Sequence, residues 1–299
     1  MPYSNLLRLL EKNGIEYKTE YNLKNSSTFR IGGVCDVALF PKSADELGMC
    51  IALLDAENCP FCVVGRGSNT LFSDSEIHKA IVFTSALCDI DVRDERIIAD
   101  AGVGLMSLSA LACEKGLSGL EFACGIPGSV GGAMYMNAGA HGGTMADVVV
   151  KSRAYDRMSG SIITVENHDF AYRKSVYMQN SRLVCLSAVL ELKKGSSDEI
   201  KAKMKQLLQA RRQSQPLEYP SAGSYFKRPE GDFAGRLIEV CGLKGVAVGG
   251  ATVSEKHAGF IINSDNATFE DVMELEKRVI DTVLEKTGIK LEREVEIVR

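Results

Sequence analysis

The stretch from residue 119 to residue 143 carries the strongest chemical signal in the sequence, because eight of its 25 residues are glycine. Glycine loses more backbone entropy on folding than any other residue, so such a run indicates turns at positive φ or the close approach of another group. Without Cβ atoms, successive backbone N–H groups can converge on phosphate oxygens. The spacing predicts a loop that binds a pyrophosphate, and a series of tight turns in an ordinary loop is the alternative.

A second glycine turn, residues 65–70 (Gly-Arg-Gly-Ser-Asn-Thr), directly follows the apolar run 61–64. A strand followed by a glycine turn with small hydroxyl residues is a common arrangement around phosphate. The turn matches neither the G-x-G-x-x-G of a Rossmann fold nor the Gly-Lys-Ser/Thr of a P-loop. Two such loops predict a dinucleotide that is bound by a domain other than a Rossmann fold.

The overall composition is that of an ordinary globular protein. Of the 299 residues, 45% are hydrophobic and 25% are charged, and the formal net charge is -4. This length allows two or three domains with a sizeable core. Lysine and arginine are scattered among acidic residues and form no basic stripe. We therefore expect no nucleic-acid partner.

The nine cysteines lie mostly in apolar runs. Cys59 and Cys62 have the C-x-x-C spacing of a redox or metal pair, but there is no second such pair and no histidine close by. We predict no metal site, and buried thiols in a reducing cytoplasm fit the pattern better. The sequence shows no signal peptide and no apolar run of the ~20 residues that span a membrane. A cytoplasmic protein without membrane contact is expected.

Hydrophobic spacing predicts mixed strands and helices without strict alternation, which indicates an α+β fold. A capping box at residues 43–46 and the sequence Thr-Phe-Glu-Asp at 268–271 predict helix starts, and Gly288 is expected to end the second of these helices. Residues 289–298 are predicted to form the last strand. The apolar stripe of the long C-terminal helix consists of Val272, Leu275, Val279, Ile280, Val283 and Leu284.

A polar connector after residue 192 and a proline-containing linker at 213–221 divide the chain. We predict a cofactor-binding region at residues 1–195, a connecting helix at 196–214 and a smaller C-terminal domain at 215–299.

Two polar clusters outside the glycine loops could contact an anionic substrate. Arg173 lies among aromatic neighbours, and its guanidinium could bind a carboxylate or a developing enolate. Ser224 lies between small residues and the cations Lys227 and Arg228, and could donate a proton. A solvated edge-strand arginine and an ordinary turn are the respective alternatives.

A third cluster, residues 291–295 (Leu-Glu-Arg-Glu-Val), alternates charges along a predicted strand. Alternation places Glu292 and Glu294 on one face and Arg293 on the other. If the glutamate face is buried, desolvation would raise the carboxyl pKa, and the group could act as an acid. Exposed edge-strand charges are the alternative.

Taken together, seven segments make the chain resemble the UDP-N-acetylenolpyruvoylglucosamine reductase family of bacterial cell-wall synthesis. The most specific of them is residues 125–133 (Gly-Ile-Pro-Gly-Ser-Val-Gly-Gly-Ala). The full set comprises residues 27–33, 65–71, 119–143, 172–175, 223–227, 254–263 and 291–295.

This resemblance implies the vanillyl-alcohol-oxidase-type FAD-binding fold, with two α+β subdomains that divide near residue 84, and a C-terminal α+β substrate domain. The last strand, about 289–299, would pack back toward the flavin. FAD would be held without a covalent bond, so no link to His141 is expected. The implied FAD-binding residues are Arg30, Gly65, Arg66, Gly67, Ser68, Asn69, Thr70, Gly125, Ile126, Pro127, Gly128, Ser129, Gly131, Gly132 and Ala133.

The resemblance also implies a reaction. NADPH would reduce FAD, and the reduced flavin would pass hydride to C3 of the enol ether in UDP-N-acetylglucosamine enolpyruvate, giving UDP-N-acetylmuramate for peptidoglycan. Ser224 matches the serine that protonates C2, Arg173 the arginine that binds the carboxylate, and Glu294 the glutamate that assists. The implied substrate-binding residues are Tyr172, Asn137, Lys227 and Arg228.

The chain resembles the shorter form of the family. Only ten residues separate Arg173 from Val184, so the insertion with a substrate-covering tyrosine is absent. Another FAD-dependent oxidase or dehydrogenase of the same fold is the alternative function, and a non-catalytic nucleotide-binding protein is a second. Nothing in the sequence requires an oligomer, and we expect a monomer.

Overall fold

The computed structural model describes residues 3–299, which form two compact units. Unit 1 comprises the chain up to residue 20 together with residues 36–66 and 78–209, and unit 2 comprises residues 21–35, 67–77 and 210–299. The units interleave along the sequence. The predicted regions 1–195, 196–214 and 215–299 are each continuous in sequence, unlike these two units. This predicted division stays a prediction.

Eight α-helices occur in the described residues, with two short 3-10 helices at Glu121–Ala123 and Met145–Asp147. In chain order they are α1 (Ser4–Lys12), α2 (Ala44–Ala56), α3 (Leu105–Glu114), α4 (Val130–Met136), α5 (Val176–Gln179), α6 (Ser197–Ser214), α7 (Ala234–Val240) and α8 (Phe269–Thr287).

The strands of residues 3–299 are mostly short. In chain order they are β1 (Tyr17–Asn22), β2 (Val34–Leu39), β3 (Phe61–Val64), β4 (Thr70–Phe72), β5 (Ile77–Phe83), β6 (Ile90–Arg93), β7 (Arg96–Asp100), β8 (Leu117–Ser118), β9 (Gly139–Ala140), β10 (Gly143–Thr144), β11 (Val149–Asp156), β12 (Ser161–Val165), β13 (Leu183–Glu191), β14 (Lys193–Lys194), β15 (Ala247–Val248), β16 (Ala251–Val253), β17 (Ile261–Asn263) and β18 (Glu296–Val298).

Unit 1 contains most of a four-stranded sheet in the order β1-β2-β5-β3 and all of a five-stranded sheet in the order β12-β11-β13-β7-β6. Strands β3 and β5 are parallel, whereas the five-stranded sheet is antiparallel. Two hydrophobic cores lie in this unit, one around α1 and α2 and one around α3 and α4. The β3–β5 pair positions Gly65 at the end of β3, a strand that is mostly half-buried.

Unit 2 is built around one hydrophobic core that includes the buried face of α8. Its strands form a three-stranded antiparallel sheet, β15-β16-β17, and a parallel pair of β18 with β4. This parallel pair joins the end of the chain to residues that follow the second glycine turn.

The predicted start of α2 and both predicted ends of α8 are confirmed. Ser43 caps α2 and accepts a hydrogen bond from the Glu46 amide. Thr268 and Asp271 form a capping box at the start of α8, and Gly288 ends this helix at φ 73°. A side-chain oxygen at the first position bonds an amide that has no partner within the helix, which is why these sequences start helices.

The predicted last strand is too long. Strand β18 covers only Glu296–Val298. Upstream of it, Arg293 forms an isolated bridge with Phe226. The backbone of 292–294 therefore bonds to residues 225–227 rather than to β4, which β18 joins.

Cys59 and Cys62 are both free thiols. Burial raises the pKa of Cys62 to about 11, which disfavours the thiolate that redox chemistry needs. Among residues 3–299, no group of three or more His, Cys, Asp or Glu side chains could hold a metal ion. Within the same residues, every helix is too short or too polar to cross a membrane.

Candidate active site

In unit 1, Gly65 packs between two hydroxyl residues. A Cβ atom at this position would collide with Ser129 Oγ, and it would lie 3.9 Å from Thr84 Oγ1. Thr84 Oγ1 is buried and has no hydrogen-bond partner in the described structure. An unsatisfied buried hydroxyl costs about 1–3 kcal/mol, so a ligand with hydrogen-bonding atoms would offset this cost.

Residues 128–131 form a wall beside this turn by pairing with residues 101–105. The Leu105 amide donates to Gly128 O at 3.0 Å, and the Gly131 amide donates to Ala101 O at 2.8 Å. A Cβ at Gly131 would lie 2.9 Å from the Ala101 Cβ, so glycine is needed for this backbone packing. Some glycines of residues 119–143 are therefore needed for packing within the protein and do not by themselves indicate a ligand.

The other predicted FAD-binding residues of unit 1 lie in or next to the same wall. Gly104 leaves room for Arg66, because a Cβ there would lie 2.9 Å from the guanidinium carbon. Ser129 caps α4 and accepts from the Gly132 amide at 3.4 Å. The remaining members lie in the loop before α4 or in its first turns, and they are Gly125, Ile126, Pro127, Gly128, Gly131 and Ala133.

Unit 2 carries the rest of the 65–70 turn. Gly67 has φ 59°, and a Cβ there would lie 2.8 Å from the Ser27 Cα. Ser27 Oγ is also buried and has no partner among residues 3–299. Arg30, three residues on, is exposed and has φ 57°. A second unsatisfied hydroxyl thus lies beside the second glycine of the turn.

Arg173 lies at the tip of a tight turn in unit 1. It is half-buried and has φ 52°, a conformation that non-glycine residues rarely adopt. Ala171 and Lys174 pair across the turn. The Arg173 guanidinium carbon lies 5.3 Å from the centre of the exposed Tyr172 ring. Arg173 thus lies in a turn and not in an edge strand, and its predicted role stays a prediction.

Asn137 supports this turn from α4. Its Nδ2 donates to Ala171 O at 3.0 Å, and its Oδ1 accepts from the Ala146 amide at 3.0 Å. The side chain is buried, with 6% of its surface exposed. These bonds show that Asn137 has a structural role in holding the turn. Its predicted contact with substrate stays a prediction.

A buried polar cluster anchors the segment that leads into the turn. Ser152 Oγ lies 2.7 Å from His168 Nε2 and 2.6 Å from Tyr177 Oη. The His168 carbonyl accepts from the Val176 amide at 2.7 Å, which closes the segment that contains Arg173. Burial lowers the pKa of His168.

We expect this histidine to make folding stability depend on pH. The unfolded chain binds a proton at His168 near pH 6.5, whereas the folded chain binds it only at a lower pH. The stability contribution is therefore present above about pH 6.5 and is lost as the pH falls below it. Urea unfolding between pH 7.5 and 5.5 should show this loss, and His168→Gln should flatten the profile. His257, whose pKa burial also lowers, leaves a residual slope. An unchanged slope in His168→Gln would contradict the prediction.

In unit 2 the segments of Ser224 and Glu294 are hydrogen-bonded to each other. The Glu294 amide donates to Tyr225 O at 2.8 Å, and the Lys227 amide donates to Glu292 O at 2.8 Å. Ser224 is exposed and Glu294 is half-buried. The structure therefore places the predicted proton donor within one residue of the backbone partner of Glu294.

Asn69 connects the glycine turn to the same pair within unit 2. Its Nδ2 donates to Glu294 O at 3.1 Å, and its carbonyl accepts from the Glu296 amide at 2.9 Å. Ser68 and Thr70 flank it, and Thr70 begins β4. A residue predicted to bind FAD and a residue predicted to be catalytic are thereby held together.

The two candidate diphosphate ligands have different surroundings. Lys227 forms an ion pair with the exposed Glu292 at 3.5 Å. The Arg228 guanidinium carbon lies 4.5 Å from the centre of the exposed Phe233 ring. Contact of either side chain with substrate stays a prediction. Of the two glutamates of the 291–295 cluster, Glu292 is exposed and Glu294 is half-buried, so the alternative of exposed charges holds for Glu292.

Two family models match the chain: an FAD binding domain over residues 35–166 and the C-terminal domain of UDP-N-acetylenolpyruvoylglucosamine reductase over residues 215–298. The reductase of that name from Caldanaerobacter subterraneus subsp. tengcongensis is 46% identical, over 98% of this chain and 96% of its own. The Clostridium tetani reductase is 42% identical, over 99% of this chain and 95% of its own. The chain belongs to the UDP-N-acetylenolpyruvoylglucosamine reductase family.

Solved structures agree with this family membership. The crystal structure of the Thermus caldophilus UDP-N-acetylenolpyruvylglucosamine reductase has a TM-score of 0.80 and 34% identity, covering 95% of this chain and 99% of that chain. An alkyldihydroxyacetonephosphate synthase has a TM-score of 0.50 at 15% identity, covering 64% of this chain and 40% of that one, and shows the fold alone. The predicted family, fold class and FAD cofactor are confirmed.

The sequence did not predict the two buried hydroxyls without partners, those of Ser27 and Thr84. Ser27 was within a matching segment but had no predicted role, and Thr84 carried no motif at all. Their signal is burial without a hydrogen-bond partner, which only a three-dimensional structure contains. The glycines beside them, Gly65 and Gly67, were found because their spacing is local.

Proposed function

We propose that this chain is a UDP-N-acetylenolpyruvoylglucosamine reductase, which converts UDP-N-acetylglucosamine enolpyruvate to UDP-N-acetylmuramate with FAD and NADPH for peptidoglycan synthesis. The observation that carries the proposal is the hydrogen-bonded pairing of the Ser224 segment with Glu294 in unit 2. Near-full-length identity of 42–46% with named reductases supports the same substrate.

The residues of the two glycine loops fit the cofactor. Thr84 and Ser27 present buried hydroxyls without partners in the described structure, each beside a glycine whose Cβ would collide with its neighbours. Arg66 in unit 1 and Arg30 in unit 2 each carry a positive charge that would suit a phosphate group. Bound FAD would accept hydride from NADPH and deliver it to the enolpyruvyl carbon, as flavins generally do.

Arg173 would bind the substrate carboxylate. Its guanidinium can form two parallel hydrogen bonds to a carboxylate, and its charge is fixed over the whole accessible pH range. The same charge would stabilise the negative charge that develops beside the carboxylate when hydride is added. Stabilisation of charge that appears only in the transition state usually contributes more to catalysis than any other single effect.

Ser224 would donate the proton to C2. A neutral serine hydroxyl is a weak acid, so it protonates only a strongly basic centre such as an enolate or carbanion. Its contribution therefore depends mainly on placement. Glu294, which is held by its backbone to Tyr225, would assist this proton transfer.

Four side chains would orient the rest of the substrate. Tyr172 is 54% exposed beside Arg173 and could cover the sugar, and Asn137 holds the turn below it. Lys227 and Arg228 would face the diphosphate. We also propose a monomer in the cytoplasm, where the nine free cysteines would stay reduced.

Anaerobic stopped-flow absorbance near 450 nm tests the proposed function. NADPH should bleach the flavin band of the purified protein, and UDP-N-acetylglucosamine enolpyruvate should restore it. Bleaching without recovery would indicate another flavoenzyme of this fold. The absence of a flavin band even after FAD is added would contradict the proposal that this protein is an FAD-dependent enzyme.

We expect Gly67→Ala to weaken FAD binding at least about tenfold, because the new Cβ would collide with the Ser26 carbonyl and lie 2.8 Å from Ser27 Cα. Fluorescence titration of the apoprotein with FAD measures this. Gly242→Ala is the matched control in unit 2, since Gly242 also has positive φ, 73°, but has open space around its Cβ position. Equal losses of affinity in the two variants would contradict a local role for Gly67.

A further inference from the structure

We propose that Glu276 is a positioning residue that holds the segments of Ser224 and Glu294 in their reacting arrangement. Glu276 lies in α8 and has no role in the chemistry described above. The inference deepens the proposed function and rests on it. It concerns residues of unit 2 only.

One carboxylate binds both segments. Tyr225 Oη donates to Glu276 Oε2 at 2.8 Å. Arg293 Nη1 donates to both Glu276 oxygens at 3.0 Å. Tyr225 directly follows Ser224 and Arg293 directly precedes Glu294, so each bond acts one residue from a proposed catalytic group.

Burial makes these bonds a rigid link. Glu276 is 6% exposed and Tyr225 is fully buried. Burial first, and then the Glu276 charge, raises the pKa of Tyr225, so its hydroxyl stays protonated and donates. A buried carboxylate that kept only one of its two partners would be costly, so the pair of bonds is expected to be fully formed.

The backbone around Ser224 shows why an anchor is needed. Gly223, on its N-terminal side, has φ 79°, and its Cβ position contacts no other atom within 4 Å. Tyr225, on its C-terminal side, donates its amide to Gly259 O at 2.8 Å and accepts from the Glu294 amide. Ser224 is therefore fixed chiefly through Tyr225, whose ring packs in the core and against Phe226 and donates its hydroxyl to Glu276.

This arrangement predicts a selective loss in Glu276→Gln. The amide keeps the shape of the side chain but loses its charge, so the bonds to Tyr225 and Arg293 weaken together. A displacement of about 1 Å at a reacting group can cost about 100-fold. We expect the rate of flavin reoxidation by the enolpyruvyl substrate to fall about 10–100-fold, while reduction by NADPH stays within about twofold of wild type.

Two further variants separate positioning from stability. Tyr225→Phe removes one of the two donors to the buried Glu276 carboxylate, so it should lower the melting temperature and slow reoxidation about 3–10-fold. Val283→Ala is the matched control, because Val283 is fully buried in α8, two turns from Glu276. It should lower the melting temperature without a selective effect on either half-reaction.

Amide hydrogen exchange of the apoprotein supplies a readout that does not depend on activity. Peptides that contain residues 223–227 and 291–295 should exchange faster in Glu276→Gln than in wild type, and Val283→Ala should not reproduce this local pattern. Failure of wild type to turn over the substrate would overturn the proposed function but leave this readout intact. Equal loss in both half-reactions, or unchanged exchange in these peptides, would overturn the role of Glu276.

Discussion

Ser224→Ala is expected to slow the reoxidation of the reduced enzyme by the enolpyruvyl substrate about 10²–10⁴-fold, which is the usual contribution of a positioned general acid. Reduction by NADPH should stay within about twofold of wild type, because it requires no proton from this hydroxyl. Ser224 is exposed and Tyr225 anchors its backbone, so the truncation should leave the fold unchanged. Anaerobic stopped-flow absorbance measures the two half-reactions separately.

Ser221→Ala is the matched control for this prediction. Ser221 lies in the same segment, and its Oγ accepts from the Gly223 amide at 3.4 Å. Its loss should leave both half-reactions near the wild-type rate. If Ser221→Ala slowed reoxidation as much as Ser224→Ala, the effect would reflect the shape of the segment, and Ser224 would not be the proton donor.

The sequence predicted best what depends on neighbouring residues. The capping box at Thr268 and the glycine at 288 located both ends of α8, because caps act within one turn. The turn at 65–70 was found for the same reason, since a strand and its glycines are adjacent in the chain. These local signals also carried the resemblance that led to Ser224, Arg173 and Glu294.

Features that depend on distant partners were missed. Residues 291–295 were predicted to continue as a strand, but Arg293 pairs with Phe226, 67 positions earlier in the sequence. The return of the last strand was expected from the resemblance alone, and its partner strand, β4 in unit 2, had no signal in the local sequence. Hydrophobic patterns show which residues are apolar, but not which distant segment they meet.

Glu276 shows a signal that was present and overlooked. It follows Val272 by four residues and precedes Val279 by three, so it lies on the apolar face of α8. A charged residue in that phase is rarely buried without a partner. Leu284, which was predicted to lie in the same stripe, is 42% exposed. The exact position of each residue around the helix, rather than a count of apolar residues, would have identified Glu276.

Arg173→Gly should lower activity without lowering stability. Loss of the guanidinium removes the charge that we propose for the carboxylate and the developing enolate, so reoxidation by substrate should fall about 10²–10³-fold. The backbone at Arg173 has φ 52°, which costs a non-glycine residue about 1–2 kcal/mol, and glycine adopts this conformation freely. The melting temperature should therefore stay equal to that of wild type or rise, as thermal unfolding will show.

Asp169→Gly separates these two effects, because Asp169 lies in the same segment, is exposed and has φ 47°. The substitution relieves similar backbone strain but removes no group that we propose to contact the substrate. It should match the stability of Arg173→Gly and keep both half-reactions near wild type. If Asp169→Gly lost reoxidation to the same extent, the geometry of the turn would matter more than the guanidinium. If only Arg173→Gly lost it, the strained conformation at residue 173 would be retained for chemistry rather than for folding.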